Sequence, residues 1–162
     1  MELKVHLKAY RARRYDDSIR ACQEALEFDP DDVLALWFQA RAEVANHQFP
    51  DAIMKLEKAV SLSDGPIYRA LLANAYASAG QRGKALDILE QLKALSKQRY
   101  VSPIDMAVAY MGLGDRNSVF QSFEKAYQER AARIQEVSEP LFDSLRFDPR
   151  FPGLMRRVGL PL

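Results

Sequence analysis

One period runs through most of this chain, and it restricts the folds open to it more than any other feature. Four segments resemble one another: YDDSIRACQEAL from Tyr15, FPDAIMKLEKAV from Phe49, RGKALDILEQLK from Arg82 and RNSVFQSFEKAY from Arg116. Their starts lie 34, 33 and 34 residues apart. In each, a small or β-branched residue precedes a bulkier one by four positions: Ser18 and Cys22, Ala52 and Leu56, Ala85 and Leu89, Val119 and Phe123. A further position recurs three residues on, at Ala25, Ala59, Leu92 and Ala126. Steps of four and three fall on one face of a helix, so each segment predicts an amphipathic helix. A second helix precedes it at the same spacing. In LLANAYASAG, Leu72 and Ala73 lead to Tyr76, and in MAVAYMGLG, Met106 and Ala107 lead to Tyr110. Gly80 and Gly114 then stand where that helix must end and the chain reverse, a place suited to the left-handed conformation. A single hairpin of this kind cannot bury its apolar faces alone, so neighbours must stack.

Over Met1 to Gln128 these residues resemble the tetratricopeptide repeat family, whose 34-residue pattern runs aromatic, Leu-Gly, Tyr, Ala, aromatic, Pro. The third and fourth copies match its central positions. The second carries Gln39, Glu43 and His47 where Leu, Tyr and Gly are usual. The first has His6, Ala9 and Arg13 at the corresponding places and alone keeps the closing proline, Pro30. The resemblance implies an all-α fold: an α-solenoid of about four hairpins (about 1–32, 33–65, 66–99 and 100–128) in a right-handed superhelix, with short capping helices in 129–162. The C-terminal block, with SPIDMAVAYMGLGD, is similar to the end of repeat arrays that follow signalling or winged-helix domains in bacterial proteins. That implies a bacterial regulatory context.

Local signals fall at the boundaries the period demands. Asp29, Asp31 and Asp32 precede the helix holding Trp37, and Asp64-Gly65-Pro66 precedes the one holding Tyr76. Ser102-Pro103-Ile104-Asp105 combines a capping serine, a first-turn proline and an acid three residues on. After Gln128 the period stops. Ser138 with Pro140 and Asp148 with Pro149 predict two short helices, with Gly159 and Pro161 closing the second. Leu141, Phe142, Leu145, Phe147, Phe151, Leu154, Met155 and Val158 form an apolar stripe suited to covering the open end of the last repeat.

Composition narrows the function. With 23 Lys+Arg against 22 Asp+Glu, the net charge of +1 argues against nucleic acid as a partner. The clusters Arg11, Arg13, Arg14 and Arg146, Arg150, Arg156, Arg157 lie among Asp16, Asp17, Asp143 and Asp148, a mixed-charge pattern. No run reaches 18 apolar residues, so no membrane span is expected. The single cysteine, Cys22, fits a reducing, cytoplasmic setting and occupies a core position of its helix. His6 and His47 lie 41 residues apart without metal-ligand spacing. Phosphate-loop, dinucleotide and nucleophile-elbow motifs are absent. The expectation is a non-enzymatic protein without cofactor or metal.

Stacked hairpins create one further surface, a concave groove lined by the first helix of each pair. The family register assigns Leu34, Trp37, Arg41 and Val44 to it in the second repeat, Ile67, Ala70, Asn74 and Ala77 in the third, and Val101, Ile104, Val108 and Met111 in the fourth. Trp37 and Arg41, one turn apart, are types enriched at binding hot spots. The expected function is therefore a protein-interaction scaffold that holds a peptide or partner domain in this groove. Self-association, or an intramolecular regulatory role in a longer signalling protein, is the alternative.

Overall fold

The computed structural model describes residues 3–161. Its order is α1 (Leu3–Arg11), α2 (Tyr15–Phe28), α3 (Val33–Ala45), α4 (Phe49–Leu62), α5 (Pro66–Ser78), α6 (Arg82–Ser96), α7 (Pro103–Leu113) and α8 (Arg116–Gln128). Two 3-10 segments follow, Ile134–Ser138 and Pro140–Phe147, and then α9 (Phe151–Val158). Among the described residues there is no strand. Consecutive helices pack against each other, and α5 also packs on α7, the arrangement of an α-solenoid.

The repeated positions form the seam between helices. Ser18, Cys22, Ala52, Leu56, Ala59, Ala85, Leu92, Val119, Phe123 and Ala126 are fully buried and Leu89 nearly so, whereas Ala25, the last position of the first copy, is only half-buried. Small residues at the first position of each seam let helix backbones approach, and the larger ones fill the space beside them. The even-numbered helices bury little beyond that stripe, adding only Ile19, Ile53 and Ser122. Helices α3 and α5 differ. Every residue of α3 from Ala35 to Val44 is buried, as is every residue of α5 from Ala70 to Tyr76. A helix buried all round must be covered on two sides.

The turn inside each hairpin is built the same way four times. Arg13, His47, Gly80 and Gly114 have φ of 59°, 60°, 81° and 75°. In each case the next N–H donates to a carbonyl five residues back: Arg14 to Ala9, Gln48 to Glu43, Gln81 to Tyr76 and Asp115 to Tyr110, at 2.8–3.1 Å. This is the six-to-one bond of a Schellman closure. The first two copies use non-glycine residues in a conformation that glycine adopts at less cost. Helix starts also follow their signals. Asp32 accepts from the Ala35 N–H at 3.0 Å and Ser102 from the Ile104 N–H at 3.2 Å. Asp105, three residues after Ser102, does not turn back to the helix start; it pairs with Arg133.

Past α8 the chain does two things. Helix α9 packs on the two 3-10 segments, and beside it Arg157 pairs with Glu124 of α8 at 2.8 Å while Arg150, just before α9, sits over the Phe120 ring at 4.1 Å. Of the apolar stripe expected to cover the last hairpin, Phe151, Leu154 and Met155 are buried and Phe147 is 93% exposed; α9 starts at Phe151, two residues after Pro149. Residues 134–147, the strap hereafter, instead cross the inner face of α7 and α3 and reach the end of α1.

Candidate functional site

The inner face of the odd-numbered helices is held shut by named contacts. At one end of the strap, Arg133 donates from Nη1 to Asp105 at 2.6 Å and from Nε and Nη2 to Glu136 at 2.7 and 2.8 Å. Burial pushes the Asp105 carboxyl above its ordinary range, against the pull of Arg133. At the other end, Arg11 Nε donates to Glu139 at 2.8 Å, and Arg13 grips Asp143 with two bonds of 2.6 and 2.8 Å. Burial works to raise the Asp143 carboxyl, but hydrogen bonds from Arg13 and Arg146 outweigh it and hold it low. Between these ends Phe142 packs edge-on against Phe123, ring centroids 5.0 Å apart, and both rings are buried. Such a pair adds about 0.5–1.5 kcal/mol beyond its area.

Arg41 stands at the centre. Its guanidinium carbon lies 4.3 Å from the Tyr10 ring centroid and 4.7 Å from that of Trp37, so the charge is stacked on aromatic faces. The residue is only 5% exposed, yet Nε and Nη2 have no hydrogen-bond partner among the described residues. The buried Trp37 Nε1 and Glu139 Oε2 are also unpaired. These groups line one void of about 10 Å3 together with Asp105, Arg133, Leu141 and Phe142. That volume holds about one water molecule and no larger ligand. Beyond the strap an open cleft of about 500 Å3 continues along Val44, Asn74, Met111, Leu141 and Asp143.

The residues assigned to the groove are therefore distributed unevenly. Trp37, Arg41 and Val108 come together beneath the strap, with Ile67 beside them and half-buried. Val44, Asn74 and Met111 border the cleft beyond it. Asn74 has a structural role as well: its side-chain amide donates to the Val108 carbonyl at 2.8 Å, tying α5 to α7. Ile104 is wholly buried, whereas Leu34 is 51% exposed and lines neither space. Sequence reasoning did not find Tyr10, Asp105, Arg133, Glu136 or Glu139 as members of this site. The available signal was the near-absence of a polar side on α3 and α7, which demanded a second cover.

Other titratable groups are arranged for packing. His6 is buried against Phe38, centroids 4.0 Å apart, and burial together with the nearby Arg41 lowers its pKa to about 4. Burial raises the Cys22 thiol to about 12, so it is protonated at neutral pH. In the second hairpin Gln39 donates to Glu43 at 2.8 Å and Lys55 pairs with Glu43 at 2.7 Å, a buried polar chain where Leu and Tyr were usual. No group of three or more His, Cys, Asp or Glu with metal-binding geometry occurs among the described residues. No described helix is long and apolar enough to cross a membrane.

No protein-family model matches the chain. It is similar to the beta-barrel assembly-enhancing protease of Escherichia coli (strain K12), with 29% identity over 132 residues. The match takes in 82% of this chain and 27% of that protein. The proteins of the same name from Shigella flexneri and Escherichia coli O157:H7 match to the same extent. The chain thus spans about a quarter of the length of the curated relatives it matches.

Proposed function

We propose that this chain is a non-enzymatic, tetratricopeptide-like interaction module that binds a segment of a partner protein along the inner face of its odd-numbered helices. One observation carries the reading: a polypeptide segment, the strap, already lies on that face, held by Arg11, Arg13 and Asp105, with its Phe142 packed on Phe123 of the neighbouring α8. The same surface supplies Trp37 and Arg41, an aromatic and a cation of the kinds that dominate binding energy. A 34-residue period with a left-handed turn residue at four equivalent positions supports the tetratricopeptide-like assignment. A cytoplasmic, bacterial regulatory setting is the context proposed with it.

Peptide display against the intact chain tests the proposal. Selected peptides should lose binding when Trp37 or Arg41 is replaced by alanine while the circular dichroism spectrum stays helical. Peptides that bind equally well to these variants would place the interaction elsewhere.

Two competing readings each rest on one observation. Proteolysis is in the relatives' name; sustained cleavage of an unfolded substrate such as casein by the purified chain would replace the non-enzymatic reading. Self-association is favoured by the side of the first hairpin, where Val5 is 51% and Phe28 94% exposed beside an open cleft of about 560 Å3. Light scattering over a range of concentrations measures it, and Phe28→Ser should abolish any dimer formed there.

A further inference from the structure

The strap is an imperfect occupant of the face it covers. Its carboxylates meet the arginines at the rim, Arg11 and Arg13, at 2.6–2.8 Å. At the centre it leaves Arg41 Nε and Nη2 and Trp37 Nε1 buried without an acceptor, and leaves its own Glu139 Oε2 without a donor. No protein group offsets the desolvation of these buried polar atoms, and that cost is larger for a charged one. A ligand that delivers a carboxylate onto Arg41 gains charge-assisted hydrogen bonds that the tethered strap does not make. The apolar part of the fit is specific too. Pro140, Phe142 and Leu145 are buried and Leu141 half-buried, so the seated motif reads Glu-Pro-Leu-Phe-Asp with one buried ring.

We infer that the strap is an internal competitor, and that the external partner of the inner face is an acidic, proline-turned peptide segment with an adjacent Leu-Phe pair. The inference rests on the interaction-module reading and names the chemistry of the partner. Charge complementarity selects it. The face presents Arg11, Arg13 and Arg41, while its acid, Asp105, is neutralised by Arg133. The strap must leave before the partner binds, so the apparent dissociation constant equals the intrinsic one divided by the fraction of open molecules.

The test uses the full chain and a fluorescent peptide Ser-Glu-Pro-Leu-Phe-Asp-Ser-Leu, the sequence of residues 138–145. Free of its tether, its glutamate can shift onto Arg41. A second peptide carries lysine in place of both acids. The variant Glu139→Gln/Asp143→Arg loosens the strap and leaves the inner face intact. It should bind the acidic peptide at least tenfold more tightly than the wild type, and Arg41→Met in that background should reverse the gain. The lysine peptide should bind neither protein. On the wild-type chain, saturating acidic peptide should speed amide exchange in 138–147, a readout that holds even where the variant does not fold. Equal affinity of wild type and variant for the acidic peptide would overturn the competitor role. Equal binding of both peptides by the variant would overturn the acidic partner while sparing the interaction face. Binding of neither, with strap amides exchanging rapidly, would sink the face itself. A concentration-dependent dimer of the variant that excludes the peptide would reassign the face to strap exchange between copies.

Discussion

Single side chains set how close the helices come. At Gly112 even one methyl group is prohibitive: a Cβ there would lie 2.5 Å from the Asn74 Cα and 2.7 Å from its carbonyl oxygen. Backbone cannot yield as a flexible side chain can, so Gly112→Ala should cost about 2–3 kcal/mol by overpacking, read as a fall in the urea midpoint. The opposite change is expected at His47, which holds φ of 60° on a surface turn. His47→Gly removes that strain and should raise stability by about 0.5–1 kcal/mol in the same assay, less whatever the His47–Phe49 ring contact contributes. The period located the turn but gave Gly112 no role, because a close approach between α5 and α7 is invisible until the two helices are in register.

At the scale of elements, the segment from Arg133 to Phe147 is the one whose position local rules could not supply. Ser138 and Pro140 announced a helix start, which the 3-10 segment Pro140–Phe147 provides, but nothing local says which surface it meets. Arg133 fixes that. It is the partner of Asp105, a carboxylate only 4% exposed. Arg133→Met should therefore destabilise the chain by about 3–4 kcal/mol, because a buried charge is left without compensation. Adding Asp105→Asn should recover more than half of the loss. A double-mutant cycle in urea measures the coupling, and additive costs would show that the pair does not act as a unit.

For the whole molecule, the strap changes how the array holds together. A solenoid with nearest-neighbour contacts alone frays from its ends, each hairpin answering to its own stability. Here Arg11 reaches Glu139 and Arg13 reaches Asp143, contacts 128 and 130 residues apart in sequence. The first hairpin is thereby tied to the last. Replacing Glu139 by Ala should raise amide exchange in α1 as well as in the strap, while α5 and α6 keep their protection. Hydrogen exchange by mass spectrometry resolves these segments, and an unchanged α1 would show that the rim pairs add nothing, as many exposed ion pairs do.

What the amino-acid order determined alone is the part governed by neighbours in sequence. A four-and-three spacing of apolar residues specifies a helix face, caps and prolines specify where helices begin, and a recurring turn residue specifies where they reverse. Those rules placed the seams at buried positions from Cys22 to Phe123, Ala25 alone remaining half-buried. Tertiary structure alone decided what lies against the inner face. Tyr10 comes from α1, Trp37 and Arg41 from α3, and Glu139 arrives from the far end of the chain. Their meeting depends on the accumulated rotation of the stacked hairpins and on which surface the strap can cover with least buried charge. Both are global quantities, and no short window of residues contains them.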